Sequence, residues 1–401
     1  MQKNKYIRVP YGMSVHGKEE INAVNIVLNT STQMGKYVNS FEKKISKLFD
    51  KKYGVMTNSG SSALLIAMES LNIPKGSEII TPVLTFSTTI SSLLKAGFKP
   101  IFTDILENTY CIDVNQIEKK ITKKTRAILA PDLLGNICEW DKIKKIAKKY
   151  KLLTLHDSAD TLGAKLNNRN VGFYTDVSIT SFYGSHIING AGNGGMLCVN
   201  NTEIYRKAKL LRSWGRSSSL MNNSEDEKNR FKVKIDNFYY DRKFLFELSG
   251  YQLEPSEISA AFGLVQLKKL GKYKKYRQQI FKEHLNFLKK YHNYFELPLE
   301  NTKASTGWLA FPIIVKNNTK FNRTDLQIFL EKRNIQTRVI FTGNILKQPG
   351  FAFLKSKNKG KFLKSDYVME NGLLIGLHQG LNSSHIRHIH SSIKQFLKKY
   401  S

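Results

Sequence analysis

Residues 181–195, SFYGSHIINGAGNGG, set a lone histidine, His186, five positions after Ser181 and just ahead of a glycine-rich loop. An imidazole exchanges protons near neutral pH but cannot form a covalent imine with an aldehyde. A loop histidine is ordinarily structural or solvated, so its chemistry depends on what the chain brings beside it. One candidate is the NSGSSALL run, where a Gly/Ser turn opens a helix after a strand. Backbone N–H groups at a helix start, with hydroxyls beside them, suit an anion, which makes Gly60, Ser61 and Ser62 phosphate candidates. An ordinary helix cap reads the same way. A second candidate is Asp157, at the carboxyl end of the apolar run KLLTLHD, the end at which open α/β sheets bind ligands. A capping aspartate before a turn is the alternative there, and for Asp160 as well.

Positioning such residues takes an alternating series of strands and helices. Residues 14–50 give two helical pieces by their apolar spacing. YGVMT is a strand, EIITPVLTFSTTISSLLKAGFKPIFTDI reads as strand, helix, strand, and RAILAPD, KLLTLHD and DVSITSF are further apolar strands. RSWGRSSSLMNNSEDEKNRFKVK reads as a long polar loop, and a lysine-rich helical segment starts near residue 270. Beyond it WLAFPIIVK is a strand, DLQIFLEKRN a helix and IRHIHSSIKQFLKKY a closing helix. The expected fold class is α/β, with a mixed, mostly parallel sheet between helices in a large unit over 1–270 and a smaller α/β unit over 271–401.

Length and composition narrow the classes. The 401 residues suffice for a large core, and 63 Lys and Arg against 32 Asp and Glu give a formal charge of +31. The lysines are scattered over many helices without a basic block interleaved with aromatics, so no nucleic-acid partner is expected; the charge would instead speed encounters with an anionic substrate. No stretch approaches eighteen uninterrupted apolar residues and the first residues lack a signal-peptide core, so a cytoplasmic protein without a membrane partner is expected. Cys111, Cys138 and Cys198 show no metal-ligand spacing, and no metal is expected.

The Ser181-to-His186 run resembles the Ser-Phe-x-x-x-Lys signature of the DegT/StrS sugar aminotransferase superfamily, fold-type I enzymes of vitamin B6. There the lysine tethers pyridoxal phosphate. Gly60-Ser61-Ser62 resembles the family's phosphate turn, and His156-Asp157-Ser158-Ala159-Asp160 stands at its Glu-Asp-Ala-Ala-Gln motif. Histidine at the lysine position, Asp160 and Leu134-Gly135-Asn136 are similar to the 3-dehydratase branch, which makes 3,6-dideoxysugars. The resemblance implies an untethered pyridoxal or pyridoxamine 5′-phosphate, with Phe86 stacked on its ring, Asp157 at its pyridine nitrogen, Asp160 also among the residues that bind it and Ser181 at its phosphate. It further implies Gln252 at the phosphate of a partner subunit's cofactor in a homodimer with shared active sites. The family has asparagine at that place, and Gly184 and Asn193 also depart from its usual proline and acidic residue.

Arg338 and Asn344 are candidates for binding a nucleotide-diphosphate sugar, the guanidinium suiting a diphosphate. They could equally be surface or turn residues. Glutamate is the implied amino donor. Iron–sulfur members of the branch carry cysteines where this chain has Ser218, Leu220 and Ala159, so no cluster is expected. The implied reaction is loss of the C3 hydroxyl from a 4-keto-6-deoxyhexose with His186 as base. The alternatives are a sugar aminotransferase and a catalytically inactive member of the fold.

Overall fold

A computed structural model describes residues 6–221, 225–357 and 360–400. Short aliphatic runs become strands buried along nearly their whole length, as a sheet covered on both faces requires. They are β1 (Tyr53–Thr57), β2 (Glu78–Pro82), β3 (Lys99–Thr103), β4 (Thr125–Pro131), β5 (Leu153–Asp157), β6 (Val177–Ser181) and β7 (Gly195–Val199). Their order is β1-β7-β6-β5-β4-β2-β3. Only β7 runs antiparallel to its neighbours, so the sheet is mixed and mostly parallel. The register pairs Pro131 with Asp157 and Asp157 with Ile179, which brings the carboxyl ends of β4, β5 and β6 to one edge.

Buried charges tie the helices to this sheet. Glu257 accepts the backbone N–H groups of Gly35, Tyr37 and Val38, each at 2.8 Å, where the helix Lys36–Leu48 begins. A carboxylate there opposes the positive end of the helix dipole. Arg212 donates to Glu42 at 2.7 Å and to the Met56 carbonyl at 3.0 Å, fixing that same helix over β1.

The lysine-rich segment belongs to one 32-residue helix, Glu257–Leu288, so position 270 lies inside an element. Its core contacts change along its length. Ala260, Leu270 and Tyr273 pack with Phe41 and Phe182, whereas Ile280, Phe281 and Leu288 pack with Trp308 and Phe311. That second core covers an antiparallel sheet of order Phe295–Glu296, Ala310–Val315, Gly372–Gly376, Arg338–Val339, forming the C-terminal α/β unit. The start of the chain also packs there. Val9 bridges Ile335 and is fully buried in that core, and Pro10 then interrupts the pairing because it lacks an N–H. The stretch read as a long polar loop ends inside a hairpin, in which Val233–Ile235 pairs with Phe238–Tyr240. Asp236 turns it at φ 48°, a left-handed conformation that Asp tolerates.

Candidate active site

A cavity of about 400 Å³ opens where β4, β5 and β6 end. Seven predicted residues line it: Gly60, Ser61, Phe86, Asp157, Asp160, Ser181 and His186. Ser59 caps the helix Gly60–Ser70 by accepting the Ser62 N–H at 3.1 Å. A Cβ on Gly60 would lie 2.6 Å from the Ser181 Cβ, so only glycine lets the helix start approach the end of β6 this closely. Gly60, Ser61 and Ser181 thus form one polar end of the cavity. Ser62 stays outside the lining, its hydroxyl donating to Asn58 Oδ1 at 2.7 Å. Phe86, 48% exposed, forms an apolar wall and meets Phe341 edge-on at 6.1 Å.

Opposite lie the acids. Asp157 accepts the Thr89 hydroxyl at 3.0 Å and the Ala159 N–H at 3.2 Å, and burial pushes its carboxyl above the ordinary range. Asp160 Oδ2 accepts the Leu134 N–H at 2.9 Å. Burial, reinforced by Asp157 and Asp132, raises Asp160 to about 7 against that hydrogen bond and Arg277. The Leu134 backbone that reaches Asp160 is left-handed (φ 62°), and Gly135 follows at φ 104° with the Trp308 Cα 2.5 Å from where a Cβ would stand. Leu134-Gly135 is therefore a tight turn holding Asp160 from behind.

His186 completes the wall. Its Nδ1 lies 3.3 Å from the Ser181 carbonyl, which can only accept, so that nitrogen carries the hydrogen. Nε2 is left with its lone pair, 3.8 Å from Asp160 Oδ1. Burial, with Arg277 adding to it and the Ser181 carbonyl opposing, lowers the imidazole to about 4. The ring is a neutral base at neutral pH, facing a cavity.

Besides Ser62, three predicted residues lie outside the lining. Gln252 is exposed, and its backbone bridges Ser213. Arg338 is exposed, donating to the Thr337 carbonyl at 2.7 Å with its guanidinium 5.6 Å from the ring centre of Tyr11. Asn344 is buried, with Oδ1 accepting the Leu346 N–H at 3.0 Å and Nδ2 donating to Asp366 at 2.7 Å. The three cysteines are buried in the cores, and Ser218 and Leu220 sit in the 3₁₀ turn Ser217–Leu220. Among the described residues no group of three or more His, Cys, Asp and Glu could hold a metal, and no helix is long and apolar enough to cross a membrane.

Tyr11, Asp132, Leu309 and Phe341 also line the cavity and were not predicted. Asp132 follows β4 directly, so the strand-end rule that singled out Asp157 applies to it equally. It accepts His156 Nε2 at 2.8 Å and the Trp140 indole at 2.9 Å. Tyr11, Leu309 and Phe341 come from segments far apart in the chain, and no local pattern marks them.

The sheet order, the C-terminal unit and this cavity together define an α/β protein with the architecture of a fold-type I aminotransferase. The chain belongs to the DegT/DnrJ/EryC1/StrS aminotransferase family, whose profile matches residues 15–394. It is 31% identical over 398 residues to the lipopolysaccharide biosynthesis protein RfbH of Salmonella typhimurium, covering 96% of this chain and 91% of that protein. It is 32% identical over 403 residues to a GDP-4-keto-6-deoxy-D-mannose 3-dehydratase of Yersinia pseudotuberculosis, covering 97% and 99%. The structure of the E. coli GDP-4-keto-6-deoxy-D-mannose-3-dehydratase with bound hydrated PLP superposes with a TM-score of 0.85 at 31% identity, covering 96% of this chain and 100% of that one.

Proposed function

We propose that the protein is a pyridoxamine 5′-phosphate-dependent 3-dehydratase acting on a nucleotide-diphosphate-linked 4-keto-6-deoxyhexose in 3,6-dideoxysugar formation. The observation that carries this reading is His186. At the place where the family's aminotransferases tether their cofactor, this chain presents an uncharged imidazole with a free Nε2 facing the cavity.

The remaining residues fit the cofactor. Gly60, Ser61 and Ser181 would hold the phosphate, and Phe86 would cover the ring face. The Asp157 carboxyl, buried and shifted upward, would be stabilised as a carboxylate by a cationic N–H such as that of a protonated pyridine nitrogen. When bound, the group supplies an amine for the C4 ketone and an electron sink. Thr89 and the Ala159 N–H keep Asp157 aimed, His186 Nε2 removes a proton, and the apolar face of Phe86 limits water. Arg338, on the same side as Tyr11, is assigned to the diphosphate, and Asn344 to the same region through the turn it caps. Exposed Gln252 is assigned to the cofactor phosphate of a second copy in a homodimer.

Glutamate is assigned as amino donor and the cytoplasm as the place of action. Ser218, Leu220 and Ala159 offer no thiolate, which supports a reaction without an iron–sulfur cluster. The test uses purified protein with pyridoxamine phosphate, nitrogen-labelled glutamate and CDP-, GDP- and dTDP-linked 4-keto-6-deoxy sugars. The expected product is a 4-keto sugar lacking its C3 oxygen, with the label released as ammonia and 2-oxoglutarate formed. Label retained in the sugar would overturn the reading in favour of amino transfer. Borohydride is expected to trap no cofactor on the protein.

A further inference from the structure

We infer that Asp160 is a positioning residue for His186: its Oδ1, 3.8 Å from Nε2, holds the one mobile proton the two groups share, which keeps the imidazole a free base between turnovers. This rests on the reading of His186 as the base.

Three contacts fix the geometry. The Ser181 carbonyl takes the Nδ1 hydrogen and so aims Nε2 at Asp160. The Leu134 N–H pins Asp160 Oδ2, leaving Oδ1 as the oxygen nearest the imidazole. Both side chains line the cavity, so the pair meets substrate from one wall. The charged and titratable groups around it are Asp157, Asp132 and His156 at the strand ends, Arg277 of the long helix, Tyr11 of the N-terminal segment and Tyr183 of the loop. The neighbouring acids favour the protonated form of Asp160, and Arg277 disfavours a second cation on His186. With Asp160 at about 7 and His186 at about 4, a single proton in the pair rests on the carboxyl.

Nε2 lifts a proton from carbon and carries it as the imidazolium, because Asp160 already holds its own proton. The imidazolium then gives that proton to the C3 hydroxyl, which departs as water together with the electron pair of the broken C–O bond. The two side chains end as they began, and no outside acid is consumed.

The test is ¹⁵N-histidine NMR on the cofactor-free protein, which needs no turnover. At about pH 5.5, between the two values, His186 is expected as a neutral ring protonated at Nδ1, and Nε2 should show one inflection near pH 7. Asp160→Asn still presents an oxygen to the Leu134 N–H, so it is expected to remove the inflection with little change in melting temperature. It should also lower kcat with KM retained. An imidazolium signal at that pH, or an inflection that survives in the variant, overturns the inference. Should the variant not fold, the wild-type titration decides alone. Failure of the 3-dehydratase reading shows instead as no deoxygenated sugar, whatever the NMR pattern.

Discussion

Two histidine sites in this molecule share a depressed pKa and differ in what their ring nitrogens meet. His284, in the C-terminal unit, meets His390 at 3.0 Å through Nδ1 and the Gly376 carbonyl at 3.3 Å through Nε2. His390 stacks on Phe287 at 4.0 Å between ring centres, and burial lowers the two rings to about 3 and about 4. His186 is lowered to about 4 by the same cause. Yet His284 has both nitrogens committed to the protein, while His186 has one nitrogen beside a carboxyl on the wall of a cavity. A shifted titration therefore records burial in both places. Access and an uncommitted lone pair separate a base from a packing element.

The sharpest way to break this contrast is to remove each imidazole. His186→Asn should lower turnover by about 10²–10⁴-fold, the usual worth of a positioned base, with the melting temperature nearly unchanged. Product assays beside thermal melts check it, and a comparable activity loss in His284→Leu would erase the distinction. Next in size is Gly60→Ala, which forces a methyl against the Ser181 Cβ at 2.6 Å. Overpacking of this kind should weaken pyridoxamine phosphate binding by about tenfold or more, measurable by absorbance titration.

The contrast also explains what the sequence disclosed. Strand-borne groups were legible because a strand end is a local pattern: Asp157 and Ser181 close apolar runs, and the Gly60 turn opens a helix between two such runs. His186 was legible through its spacing from Ser181. The Asp160–His186 contact was not, because it depends on the left-handed turn at Leu134 and on the Ser181 carbonyl, neither visible as a residue type. Tyr11 and Phe341 reach the cavity only because the start of the chain and the C-terminal unit fold back over the large sheet. Gln252, Arg338 and Asn344 were drawn from motif positions, and the fold sets them outside the lining. The hairpin at Val233–Tyr240 straddles the end of the stretch read as a polar loop, and each of its strands is only three residues long, too short to show an alternating pattern.

On the sealed side, His284→Leu leaves the Gly376 carbonyl and one His390 nitrogen without their partner inside the core. The expected cost is about 1–3 kcal/mol with kcat retained, read by denaturant unfolding and by the product assay. This loss should exceed that of His186→Asn in stability and fall far below it in activity.

The smallest effect lies in the pH dependence of stability, where the histidine rings and the Asp160 carboxyl oppose each other in sign. An unfolded histidine titrates at about 6.5, so above that pH these rings are neutral folded or unfolded and add no slope. As pH falls from there towards about 4, the unfolded chain takes up protons that folded His284, His390 and His186 refuse, and stability declines. Asp160 works the other way. Raised to about 7, it holds a proton when folded over a window in which the unfolded carboxyl, titrating at about 3.9, has lost it. Its contribution to stability therefore falls as pH rises from about 4 to about 7 and offsets one histidine. Melting temperatures followed across that window should rise with pH in the wild type. His284→Leu should flatten the rise, because one refused proton is gone. Asp160→Asn should steepen it, because the opposing carboxyl is gone; an unchanged slope in that variant would mean that Asp160 is ionised in the folded protein and that His186 stands alone.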